Sequence, residues 1–318
     1  MRRRLLKHVG VENPMNKTEQ VFQRVLEEVN QGHSLRQPAY VALEQALGGD
    51  KCVISLFTSF RFPVLLDDTD ADMLEELLTN TSMDGKRLVL ILSSPGGDTL
   101  AAERIVKICR SFSPQGYCVI VPKMAKSAAT VVCLGADEII MSETSELGPI
   151  DPQILIFDEH QHPLRYQAAH EILDSYNQLM DNANKTKGNP DPYLQQLARF
   201  DARDIRSIKS AQNLTEHVAI NLLKAGIMRK QSEKKIKQNI RLLIDPEATK
   251  DHGRPVFHDG AIRCGLNVVV KKNTDPVWHK VWEIYIRLNH LTRTICAKVA
   301  ESKDEHYVMP TPKEIVGN

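Results

Sequence analysis

The sequence predicts an α/β fold with a largely parallel sheet, and three observations carry that prediction. Short apolar runs, among them RLVLIL (87–92), YCVIVP (117–122) and DEIIM (137–141), read as buried strands. Amphipathic helical stretches alternate with them. The connections are short, and strand–helix–strand units joined this way cross over right-handedly into parallel neighbours.

Each element has its own local reason. Residues 15–30 place Val21, Val25, Leu26 and Val29 on one side of a helix. CVISLFT (52–58) reads as a strand. In LLDDTDADMLEELLTN the aspartates suit a helix N-terminus, where the dipole is positive, and Met73, Leu74, Leu77 and Leu78 point inward. A helix over 99–112 lines up Ala101, Ile105, Ile108 and Phe112. SAATVVCLGA opens a small-residue helix at Ser127. Far downstream, Val281, Ile284, Leu288, Leu291, Ile295 and Val299 mark an apolar stripe at helical spacing, with Trp278 and Trp282 on an adjoining face. Most such stripes are core, although a tryptophan-bearing terminal helix also suits an oligomer or partner surface.

Composition narrows the function classes. The chain has 318 residues, 42% hydrophobic and 25% charged, enough to bury a sizeable core. A formal net charge of +1 supplies no global field toward nucleic acid or acidic lipid. The six cysteines form no CxxC pair and sit mostly in apolar runs, so reduced, buried thiols in a cytoplasmic protein are expected. The basic start MRRRLLKHVG lacks an apolar stretch long enough for a signal peptide or membrane span, and a soluble chain is expected. His160 and His162 have no third partner at metal-ligand spacing, so no metal and no cofactor are expected.

Two turns fall at one edge of the expected sheet. One is SSPGGD, with Gly96 and Gly97; the other is MAKSAAT, with Ser127 and Ala128. Ligands of open α/β sheets bind outside the carboxyl ends of the strands. Adjacent glycines allow a backbone N–H to approach a substrate oxygen, so Gly97 and Ala128 amides can form an oxyanion hole beside a Ser127 nucleophile. The plainer reading of the same residues is a tight turn and a helix N-cap.

LILSSPGGDTLAAERIV, followed by VIVPKMAKSAATVVCLGADEIIMSETSELGPIDPQI, resembles the serine dehydrogenase proteinase family, a branch of the Clp-protease/crotonase superfamily related to signal peptide peptidase A. The resemblance resumes over 222–269. It implies a spiral of β-β-α units and a peptidase domain over 46–272; beyond the shared core are helical extensions over 1–45 and 273–318 and a polar, Pro/Gly-punctuated stretch at 157–200 that makes a possible lid. It also implies peptide or protein substrates and a homo-oligomer. Residue by residue it implies Ser127 as nucleophile, Gly97 and Ala128 as oxyanion donors and Gly96 as part of the substrate-binding turn.

The base is less plainly marked. Clp subunits use His and Asp, whereas signal peptide peptidase A uses Lys. The position near the Clp histidine is Asp151 here, with no His beside it, which points to the lysine form. Lys209, flanked on its helix by Ile205, Ile208, Ala211 and Gln212, is the expected base if burial lowers its pKa. Lys126 neighbours the serine on the helix without facing it. Asp151 and His252, the latter in a family-like HGRPVF turn, are auxiliary candidates. Two other classes use the same fold: a crotonase-type acyl-CoA enzyme, which does not need Ser127, and a non-catalytic scaffold.

Overall fold

The computed structural model describes residues 21–22, 24–26, 28, 32–156, 165–245 and 253–311. In chain order the first helix is α1 (Gln37–Ala46), followed by β1 (Lys51–Thr58), α2 (Asp68–Thr79), β2 (Arg87–Ser93), α3 (Thr99–Phe112), β3 (Cys118–Val121) and β4 (Met124–Ala125). Then come α4 (Ala128–Leu134), β5 (Glu138–Ser142), β6 (Glu146–Leu147), β7 (Gln153–Ile156), β8 (Arg165–Ala168), α5 (Ala169–Lys185), α6 (Asp191–Leu197) and α7 (Ala202–Ala225). The chain closes with α8 (Glu233–Asn239), α9 (Arg241–Ile244), β9 (Val256–Phe257), α10 (His258–Arg263), β10 (Val268–Lys271), α11 (Pro276–Thr294), β11 (Cys296–Ser302) and β12 (His306–Pro310).

Seven strands form the main sheet in the order β10-β5-β3-β2-β1-β11-β12. The five from β10 to β1 run parallel, and β11 and β12 add to the β1 edge antiparallel. Apolar residues on both faces explain the continuous runs seen in the sequence: β2 buries Leu88 to Leu92 without interruption. One face carries α2, α3 and α4, with Leu74, Ile105, Val106 and Val131 in one cluster. The other carries α1 and α11, where Tyr40, Leu43, Trp278, Ile284 and Leu288 meet Val53, Val89 and Ile120. A second, three-stranded sheet of β4, β6 and β9 stands at the carboxyl edge of the large one.

The ends of the chain depart from the expected extensions. The segment after 272 is helical only to Thr294; β11 follows, buried along its whole length, and pairs with β1. Val299 therefore lies in a strand, and Ile295 is exposed at the helix end. Helical periodicity continued past the helix because residues 295 and 299 happened to keep its spacing. On the other side, α1 is fastened to β11 by a buried, bidentate Arg36–Glu301 ion pair, with Arg36 Nε 2.8 and 2.9 Å from the two carboxylate oxygens. The helix α1 and the strand β11 thus both belong to the core. Of the expected helix at 15–30, Val25 is described and packs in the α1–α11 cluster. The tryptophan-bearing stripe of α11 is mostly core: Trp278 is buried and Trp282 partly so.

The described part of the 157–200 segment is largely regular strand and helix. Its described part supplies β8, α5 and α6, and α5 packs on α7 through a separate cluster of Ala169, Ile172, Leu173, Ile205 and Ile208. Residues 157–164, with His160 and His162, lie outside the described residues. No described helix is long and apolar enough to cross a membrane.

All six cysteines are free and buried. Burial pushes the Cys109 and Cys52 thiols up to about 12, so thiolate is scarce and access is poor. An aromatic disulfide reagent at neutral pH is expected to modify fewer than about one thiol in the native protein, and all of them in denaturant. Rapid titration of several thiols without denaturant contradicts this packing.

Candidate active site

The site is built where β2 leaves the sheet. The strand direction continues past Ser93: Ser94 N–H donates to Met124 O at 3.3 Å, and Lys126 N–H donates to Ser94 O at 3.0 Å. This pairing carries the two turns noted in the sequence out side by side. Gly96 has φ +98°, and a Cβ added there falls 2.5 Å from the Lys126 carbonyl oxygen and 2.6 Å from Ser127 Cβ. Glycine is required on both counts, conformation and space. The backbone of the SPGG turn therefore lies directly against the serine.

Hydrogen bonding leaves the two expected oxyanion donors open. Gly96 N–H bonds to Ser94 Oγ at 3.1 Å, and Asp98 N–H to Leu66 O at 2.8 Å. Ala129 N–H bonds to Lys126 O at 2.9 Å. Between these satisfied neighbours, Gly97 N–H and Ala128 N–H have no acceptor among the described residues. Gly97 is half-buried and Ala128 buried, and backbone amides in such places normally find partners, so two unpaired ones beside a glycine–serine contact are places where a ligand oxygen is to be sought.

Ser127 occupies the N-cap position of α4 but does not cap the helix with its side chain. Its hydroxyl makes no bond to the helix amides, and its backbone sits at φ +49°, ψ −121°. For a residue with a Cβ this region costs roughly 1–3 kcal/mol, and such strain persists only where the surroundings impose it. The imposing contacts are Lys126 N–H to Ser94 O before it and Val131 N–H to Ser127 O after it. Thr130, one turn into α4, bonds to the Ala125 carbonyl at 2.8 Å and accepts Gly148 N–H at 3.0 Å. That threonine locks the strand exit to the loop after β6.

A buried ion pair supports the glycine turn from beneath. Leu66 bridges to Gly97, its N–H donating to Gly96 O at 2.8 Å. The next residue, Asp67, caps α2 through Thr69 N–H at 2.9 Å, as the acidic helix start suggested. Lys298, on β11 and 1% exposed, reaches Asp70 at 2.6 Å and Asp67 at 2.9 Å. Burial raises the Asp70 pKa even with this lysine in place. Sequence reading passed over Lys298 because its isolated charge in CAKVAES gives no hint of a carboxylate 228 residues away.

The remaining candidates separate. Lys126 is tied to Glu146 at 2.5 Å. Lys209 is exposed on α7 and has no hydrogen-bond partner among the described residues. The burial on which its expected role depended is not present, because Ile205 and Ile208 face α5 while Lys209 faces water. His252 lies outside the described residues. Asp151 is buried, and a histidine does stand beside it in space: His170 Nδ1 is 2.9 Å from Asp151 Oδ2. Sequence proximity could not reveal this partner, since it arrives from the first turn of α5 after the β7–β8 hairpin. The only cue available was the AAH stretch at the start of an amphipathic helix.

One family match agrees with this architecture, and several known proteins are similar to the chain. Residues 58–285 match the family described as ClpP-like SDH-type serine proteinase. Two uncharacterized proteins of Methanocaldococcus jannaschii are similar: one is 33% identical over 58% of this chain and 54% of its own length, the other 30% identical over 40% and 43%. The chain thus spans about half the length, or less, of these curated relatives. Among solved structures, a membrane-bound stomatin-specific protease, 1510-N, aligns as a serine-to-alanine mutant with TM-score 0.29 and 16% identity, covering 45% of this chain and 66% of that one. Its lysine-to-alanine mutant with a substrate peptide aligns with TM-score 0.28 and 15% identity, covering 74% and 96%.

Two variants test the construction. Gly96→Ala is expected to lose at least about 2 kcal/mol of stability, from a forced φ and a Cβ against backbone; a urea transition unchanged from wild type contradicts the contact. Lys298→Met leaves a buried carboxyl without its cation and is expected to cost about 3–5 kcal/mol by the same measurement. A loss under about 1 kcal/mol means that the pair does not hold the turn.

Proposed function

Because this chain belongs to the ClpP-like SDH-type serine proteinases, we propose that Ser127 is its nucleophile and that the Gly97 and Ala128 amides form its oxyanion hole. The observation that carries the reading is the convergence of the SPGG turn on Ser127, with both amides unpaired between satisfied neighbours. Peptide bonds are the substrate class that the family supports.

The chemistry follows from the placement. Ser127 Oγ attacks the carbonyl carbon of a bound peptide, and the carbonyl π pair moves onto oxygen. Two fixed N–H groups meet that negative charge with no reorganisation, an effect worth roughly 3–4 kcal/mol per well-placed donor. Collapse expels the amine and leaves an acyl-serine, which water hydrolyses. The strained φ of Ser127 suits this role, since it holds the hydroxyl clear of the helix amides that would otherwise occupy it.

A fluorophosphonate probe tests the assignment. Wild-type protein is expected to become covalently labelled at Ser127 and to lose peptide hydrolysis in step with labelling. Ser127→Ala is expected to abolish both while keeping the wild-type thermal transition. Labelling that survives in Ser127→Ala places the nucleophile elsewhere.

A further inference from the structure

Resting on the Ser127 reading, we propose that His170 is the proton acceptor for this serine, oriented by Asp151, in place of a lysine. Three observations support the pairing. Asp151 is a carboxylate with a side chain only 2% exposed, and a buried charge of this kind needs a close donor. His170 Nδ1 supplies it at 2.9 Å. With the proton held on Nδ1 facing the carboxylate, the lone pair resides on Nε2. His170 Nε2 and Ser127 Oγ have no hydrogen-bond partner among the described residues, each other included, so both remain available to meet over a bound substrate.

Contacts on both sides bring the Asp151–His170 pair to the end of the sheet that carries the serine turn. The loop after β6 runs along the serine turn: an added Cβ at Gly148 lies 3.3 Å from Lys126 Cα, and Thr130 bonds to Gly148. Asp151 is three residues further on, at most about 11 Å along the chain. The start of α5 is fastened to the same loop by Ala169 N–H to Pro152 O at 2.8 Å. From the other direction, Thr99 at the start of α3 bonds to Thr215 of α7 at 3.0 Å. Thr215, Gln212 and Asp151 share one small crevice. The dyad and the SPGG turn therefore stand at the same end of the sheet. Catalytic hydrogen bonds commonly tighten only when substrate is bound.

In the proposed step, Nε2 takes the Oγ proton as the Oγ–C bond forms. The resulting imidazolium, facing Asp151, returns that proton to the leaving nitrogen as the C–N bond breaks. In the second half a water gives its proton to Nε2 while its oxygen attacks the acyl-serine, and Ser127 Oγ recovers the proton on departure.

The test is the rate of fluorophosphonate labelling and of peptide hydrolysis in full-length His170→Ala, His170→Gln, Asp151→Asn and Lys209→Met. His170→Gln keeps an N–H for Asp151 while removing the base, so it separates folding from catalysis. Both His170 variants are expected to slow at least about 100-fold, with His170→Ala partly restored by added imidazole. Lys209→Met is expected to stay within about threefold of wild type, as suits an exposed residue away from the reacting atoms. Wild-type rates in His170→Gln, or a large loss in Lys209→Met, overturn the proposal while leaving Ser127 as nucleophile. A wild-type protein that does not label, or labelling that survives Ser127→Ala, overturns nucleophile and acceptor together.

Discussion

The Gly96 backbone lies so close to the Lys126–Ala128 turn that even one methyl group there falls 2.6 Å from Ser127 Cβ. This contact joins two crossovers of the sheet at the point where each leaves its strand. It brings the stretch that carries the Gly97 amide against the stretch that carries Ser127 and the Ala128 amide. Interiors are close-packed and transmit small displacements, so the geometry is only as good as the elements that hold it. The glycine side rests on Leu66, which is held by the α2 cap and by Lys298. The serine side rests on Thr130 and the loop at Gly148.

That arrangement explains why residues remote from Ser127 in sequence are polar where the fold is most buried. Lys298 and Asp70 are costly to bring out of water, and replacing both with apolar groups is often neutral or stabilising in other proteins. Here the pair is placed where β11 meets the helix that begins next to the Gly96–Gly97 turn. The strain at Ser127 is similarly out of keeping with a purely structural helix start. A positive φ at the serine, a glycine pair in tight backbone contact and a buried lysine fall within one region, apart from the second buried pair, Arg36–Glu301, that fastens α1 to β11. Functional sites show this pattern.

Much of the sheet was legible because its signals are local. The helix Thr99–Phe112, the capped start of α2 and the strands β1, β2, β3 and β5 follow from periodicity, acidic N-termini and uninterrupted apolar runs. The Gly96–Gly97 and Ser127–Ala128 turns were also legible, since adjacent glycines and a serine before small residues are short motifs. What escaped was long-range pairing. Val299 kept helical spacing yet belongs to a strand whose partner is β1, nearly the whole chain away. Lys209 looked enclosed by isoleucines, but those face α5 and leave the lysine in water. His170 was invisible as a partner because a hairpin returns it to Asp151, and single-sequence spacing says nothing about where a hairpin folds back.

Ser127 works as proposed only if the two open amides receive the charge that its attack creates. The most direct measurement is a crystal structure of the protein inactivated by a peptidyl boronic acid, whose tetrahedral adduct mimics the charged intermediate. The account predicts a Ser127 Oγ–boron bond with one boronate oxygen about 2.7–3.1 Å from both Gly97 N and Ala128 N. An adduct on another residue, or a boronate oxygen turned away from both amides, contradicts it.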